Sequence, residues 1–221
     1  MAVRRGRKWW LVLPVVALAF WAWTRGGDGP EARNAAGPEK HPSASAASPS
    51  RPTAKPGRGG AYDPADYAAP VRTYAKKAGV GAQLLMAILY NEAYKPHDPA
   101  LERSWQRYKP DAAFGIANMH RAAFDDTKKG RDFADRRWDE LPDDRNLAIE
   151  AAAWHLHDLA AQLPSRKSAA YTKDELLALG YNTGGGNMLA FARGVRPGPQ
   201  AQSYLEKLRD NWDKAGAAVR G

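Results

Sequence analysis

One carboxylate in this 221-residue chain stands where general acid chemistry would want it. Residues 81–93 (GAQLLMAILYNEA) read as a helix, and steps of four, three and seven back from Glu92 reach Ile88, Leu89 and Leu85. Glu92 therefore continues an apolar stripe. It falls in the last turn, ahead of a Lys95-Pro96 stop, where desolvation and the negative end of the helix dipole both favour the neutral carboxyl. A carboxyl still protonated near neutral pH is what general acid catalysis needs. Helix-terminal glutamates more often face water or pair with a neighbouring cation, here Lys95, so the segment alone leaves both readings open.

Other candidates for chemistry fall away on spacing. His155 and His157 point about 200° apart around a helix and cannot share a metal, and His97 and His120 have no ligand partner at metal-site spacing. The glycine-rich turn 184–187 carries neither a P-loop lysine nor a dinucleotide pattern, and there is no Gly-x-Ser-x-Gly elbow. With no cysteine, thiol nucleophiles, disulfides and thiolate metal sites are excluded. What remains is aromatic and amide: Tyr90, Tyr94, Trp105, Phe114, Asn118, Tyr181, Asn182 and Tyr204. Singly, each is an ordinary core or surface residue. Beside a sheltered carboxyl they suit a sugar groove, where rings stack on apolar sugar faces and amides bond hydroxyl and acetamido groups.

The elements that must position these residues are helices. Beyond residue 60 there are four Val, three Ile and four Thr, too few β-branched residues for a substantial sheet. Asp63-Pro64 opens a first helical region ending before Gly79, which Pro70 either divides or truly starts; the Glu92 helix follows. Asp143-Asp144 caps a helix over 145–163, ended by Pro164. Thr172 to Glu175 has the form of a capping box ahead of LLALGYN. A short helix over 187–193 closes at Gly194, and a last one runs over 200–218. Residues 96–129 look less regular, with room for a small hairpin or a binding loop.

Ahead of this domain, at 61–221, come two segments of another kind. Residues 1–24 hold a basic head, MAVRRGRK, and the uncharged run WWLVLPVVALAFWAW at 9–23. As a helix that run is roughly 22 Å long, borderline between a membrane anchor and a cleaved signal peptide. Flanking tryptophans favour the anchor, Ala17-Leu18-Ala19 a cleavage site, and both place the N-terminus in the cytoplasm and export the domain. Residues 25–60 form a Pro/Ala/Ser-rich linker with almost nothing to bury, able to reach roughly 115 Å if polyproline-like. Residues 1–60 hold ten Lys+Arg against three acids, which is +7 of the net +9. The domain itself is nearly neutral, so the basicity argues for membrane topology and against a nucleic-acid groove.

Four blocks in order then carry a likeness. AQLLMAILYNEA at 82–93, AFGIAN at 113–118, GYNTG at 180–184 and YLEKL at 204–208 resemble the soluble-lytic-transglycosylase-like domain, with the helix around Arg145 to Leu156 also similar. The likeness covers nearly all of residues 67–212. It implies a mainly α, lysozyme-like fold of the goose-type and lytic transglycosylase kind, acting on the glycan strands of peptidoglycan without a cofactor or metal. Position by position it makes Glu92 the single acid/base, Gly115, Ile116, Ala117 and Asn118 a groove motif, and Tyr181 and Asn182 a Tyr-Asn motif. Tyr181 is then expected to orient Glu92 through a hydrogen bond, and Tyr204 to stand near the groove. Ala93, Ala117 and Asn118 depart from the family's usual Ser, Met and Gln, and the first two blocks are unusually far apart. A single carboxyl implies a 1,6-anhydro product; should Glu150, in the apolar helix around 148–154, face the groove, lysozyme-like hydrolysis follows. An inactive, tethered peptidoglycan-binding module is the third reading.

Overall fold

The structure, a computed structural model, describes residues 62–95, 97–109 and 111–220, and these are mainly helical. The apolar run at 9–23 and the whole of the linker at 25–60 lie outside the described residues. Among the described residues no helix is long and apolar enough to cross a membrane.

The chain enters through a single 3₁₀ turn, Pro64–Tyr67, capped by the Asp63 side chain on the Ala65 amide. Helix α1, Ala68–Ala78, follows with Pro70 in its first turn, where its missing N–H costs nothing, and stops at Gly79 with φ +67°. Helix α2, Ala82–Glu92, is apolar almost all round, and Leu84, Leu85, Met86, Ala87, Ile88 and Leu89 are fully buried. Such a helix can only be a central one. Helix α5, Arg145–Gln162, is capped by Asp144 on the Leu147 amide. Helix α6, Lys173–Thr183, opens with the capping box of Thr172 and Glu175. Then come α7, Gly185–Ala192, and α8, Pro199–Arg220.

Helix α8 packs more extensively on α2 than on any other element, and α1 and α6 also touch α2. At this seam the Gln83 side-chain amide of α2 lies over Gly216 of α8, where an added Cβ would stand 2.7 Å from its nitrogen, and it donates to the Trp212 carbonyl at 2.9 Å. The partly polar Asn91 joins the same pair: its amide donates to the Tyr204 carbonyl at 3.0 Å, and its oxygen accepts from Asn211 at 3.0 Å. Losing one of the large side chains of α2 to alanine would cost about 2–5 kcal/mol.

The stretch expected to be irregular contains two helices, α3, Pro99–Tyr108, and α4, Arg121–Thr127, with a tight turn between them. The hairpin expectation holds only as that turn, closed by paired amides and carbonyls of Phe114 and Met119. Helix α3 was concealed because it buries none of its residues, so no core stripe marks it.

Candidate active site

Glu92 is the last residue of α2 and is 7% exposed. Its Oε2 accepts from the Asn118 amide at 2.8 Å and its Oε1 from the Tyr204 hydroxyl at 3.0 Å. Burial pushes its pKa up. The two hydrogen bonds, and the charges of Lys95 and His97, work in the opposite direction without cancelling the rise. The sequence expectations that Glu92 is sheltered and that its pKa is raised therefore hold, with desolvation as the main cause. Lys95 does not pair with it: the ammonium donates to Asn118 Oδ1 at 2.8 Å instead.

Asn118 is aimed by the turn 115–118. Its backbone is left-handed, φ +46°, a conformation Asn tolerates better than most residues, and its amide closes the turn on the Gly115 carbonyl at 2.9 Å. Gly115 has φ +70°, and a Cβ there would lie 2.8 Å from the Leu141 carbonyl oxygen. Only glycine fits. Trp138 braces the turn from behind, its indole donating to the Met119 carbonyl at 2.8 Å and its ring centroid 4.7 Å from that of Phe114. Ile116 and Ala117, expected on the groove, are buried in the core. What they supply is shape, and one carbonyl.

That carbonyl corrects a second expectation. Tyr181 donates to the Ala117 carbonyl at 2.7 Å, not to Glu92; the phenol bonded to Glu92 is Tyr204. Burial, with the Glu92 charge adding to it, holds both phenols well above the ordinary tyrosine pKa, so both remain donors. Tyr181 still lies close enough to feel that charge, and packs edge-on against His155 at 5.4 Å. Burial lowers the His155 pKa, which keeps the ring neutral. Asn182, expected on the groove, is exposed and makes no hydrogen bond to the Glu92 cluster. Glu150 is engaged elsewhere: its Oε1 accepts from Lys77 of α1 at 2.8 Å, and Lys77 also binds Asp132. It does not join the Glu92 cluster.

Beside the cluster lies a cleft of about 520 Å³ between α3 and residues 113–114. Leu101, Trp105 and Tyr108 of α3 form one wall, and Ala113 and Phe114 part of the other; Lys95 and His97 complete the end nearest Glu92. The Glu92 carboxylate itself does not line it. Four of the five exposed large apolar side chains among the described residues, Tyr94, Leu101, Trp105 and Tyr108, sit in this one stretch. Exposure concentrated in that way makes the stretch a candidate binding surface.

Two further residues, His97, set aside on its spacing, and Glu102, adjoin the site. His97 is buried, with Nε2 3.0 Å from the Glu92 carbonyl oxygen and Nδ1 3.0 Å from Glu102 Oε1. Glu102 Oε2 accepts from the Gly115 amide at 2.9 Å. Asp98-Pro99 is a helix-start signal that places positions 97 and 102 as the N′–N4 pair, the staple positions at a helix N-terminus. Here the staple is polar.

No protein-family model matches the chain, and no similar sequence was found among the curated proteins.

Proposed function

We propose that this protein is a peptidoglycan lytic transglycosylase, with a lysozyme-like helical domain held at the outer face of the cell membrane by the run at 9–23 and the linker at 25–60. One observation carries the reading. Of the two buried carboxylates among the described residues, Glu92 and Glu150, only Glu92 is without a salt bridge, and burial raises its pKa. The aromatic cleft on α3 supports a saccharide ligand, because its rings are exposed along a concave wall and sugar faces are apolar.

The chemistry needs one group acting twice. Glu92 gives its proton to the oxygen that joins muramic acid C1 to the next sugar, and the C1–O bond breaks as that oxygen leaves as a hydroxyl. Positive charge at C1 is met by the substrate's 2-acetamido oxygen. Glu92, now a carboxylate steadied by Asn118 and Tyr204, takes the proton of the C6 hydroxyl while O6 bonds to C1. The ring closes as a 1,6-anhydro sugar, Glu92 is protonated again, and no water is consumed. Two-carboxylate hydrolysis is disfavoured, because the Lys77 pairing of Glu150 engages the one other buried carboxylate among the described residues.

Purified peptidoglycan digested with the full-length chain tests the proposal by mass spectrometry of the products. Anhydro-muramic ends from the wild type and none from Glu92→Gln are expected. Reducing muramic ends would make it a hydrolase. Retention of peptidoglycan with no cleavage by either protein would make it a binding module.

A further inference from the structure

Helix α3 is held by few contacts, and the most buried of them converge on a single proton. His97 sits in a left-handed backbone conformation, φ +48°, with its ring 2% exposed. Both ring nitrogens meet oxygen. The Glu92 carbonyl, left without an intrahelical partner at the end of α2, can only accept, so Nε2 must carry a hydrogen. Glu102 Oε1 faces Nδ1, while Oε2 already accepts from Gly115. A neutral imidazole opposite an ionised Glu102 would set two lone pairs against each other at 3.0 Å.

We propose that His97 and Glu102 are positioning residues for Glu92, acting as a latch that holds one proton beyond those of a neutral imidazole and a carboxylate. This rests on the reading of Glu92 as the acid. With the proton in place, His97 donates on both sides and pins the end of α2, while Glu102 pins the turn that aims Asn118 at the Glu92 carboxylate. Three segments are thus tied together: α2, α3 and the turn 115–118. The charged and titratable groups around the ring are of both signs. Glu102 faces it from α3, the Glu92 carboxylate feels its charge, and Lys95 and Asp98 flank it in the chain. The Tyr62 ring meets it edge-on at 5.1 Å, with the Arg145 guanidinium 5.5 Å from the centre of the same ring. Without the shared proton the His97–Glu102 bond is lost and α3 is freed from the end of α2.

Glu102→Gln separates this from a merely structural bond. The glutamine oxygen can accept from Gly115 and its NH₂ can donate to a neutral His97, so the latch closes without the extra proton, and protonating His97 then opens it. Glu102→Ala has no latch at any pH. The account expects Glu102→Ala to lower kcat about ten- to a hundredfold with KM changed less than about threefold. It expects Glu102→Gln to keep kcat near neutral pH but to gain a fall on the acid side that the wild type lacks. Nitrogen NMR of full-length protein in detergent, with His97→Gln used to assign the signals, reads the ring without relying on activity. Hydrogens on both His97 nitrogens near neutral pH in the wild type, and on one in Glu102→Gln, are expected. A wild-type ring with a single N–H and an ionised Glu102, or Glu102→Gln and wild-type pH profiles that superpose, would overturn the latch. If the wild type cuts nothing, the reading of Glu92 fails while the nitrogen spectra still decide the proton count.

Discussion

Asn118 stands between Lys95 and Glu92, accepting from the ammonium at 2.8 Å and donating to the carboxylate at 2.8 Å. The arrangement keeps a cation near the acid without an ion pair. A direct salt bridge would pull the Glu92 pKa down and strip the proton that acid catalysis requires. Held off by the amide, the Lys95 charge supplies only a part of the opposition to burial.

Lys95→Met should therefore raise the Glu92 pKa further, by removing one of the groups that lower it. The acid form is what begins the reaction, so the pH above which kcat is lost should move upward. A pH–rate profile of wild type and variant reads the shift, and a downward movement of the alkaline limb would contradict the role given to Lys95.

Glu92→Gln should make the fold more stable near neutral pH while abolishing cleavage. A carboxyl whose pKa is raised by folding stabilises the native state fully below its unfolded value and loses that contribution as pH rises through the folded value. The glutamine amide can still accept from Asn118 and donate to Tyr204. The variant's Tm should exceed the wild type's by a few degrees, roughly, at pH 7, with the gap closing toward pH 4. Thermal melts across that range measure it, and a gap that widens on acidification would mean the pKa is lowered.

Tyr204→Phe and Tyr181→Phe should differ in kind. Tyr204→Phe removes a hydrogen bond to the Glu92 carboxylate and should push the Glu92 pKa higher still. Tyr181→Phe leaves the Ala117 carbonyl unpartnered and should cost stability, about 1–3 kcal/mol. Denaturant unfolding alongside pH–rate profiles distinguishes the two.

Trp105→Ala and Tyr108→Ala should weaken glycan binding severalfold, seen as a higher KM, while changing stability by no more than about 0.5 kcal/mol, because α3 buries neither ring. Unchanged KM in both would remove the α3 wall from the groove.

Much of this architecture could be read before any coordinates, for local reasons. Asp144, the Thr172–Glu175 box and Gly79 act on amides and carbonyls within a turn, so their signals lie in neighbouring residues. The apolar register of Glu92 was likewise legible, since one helix carries it. What failed depended on partners far along the chain. Tyr204 reaches Glu92 across 112 residues and Lys77 reaches Glu150 across 73, and helix periodicity cannot say which of two tyrosines faces a given oxygen. Ile116 and Ala117 were assigned to a groove by likeness alone, while their apolar side chains belong to the core. His97 and Glu102 were overlooked because a histidine without metal-ligand spacing offered no chemistry, although their N′–N4 spacing around Asp98 was in plain view.

The central claim is that one buried carboxyl cuts the strand and closes a ring without water. Peptidoglycan digested by the full-length chain in water enriched in oxygen-18, with the muramic ends weighed by mass spectrometry, tests it most directly. The account predicts anhydro ends that carry no label and disappear with Glu92→Gln. Reducing ends bearing oxygen-18, or unlabelled ends produced equally well by Glu92→Gln, would contradict it.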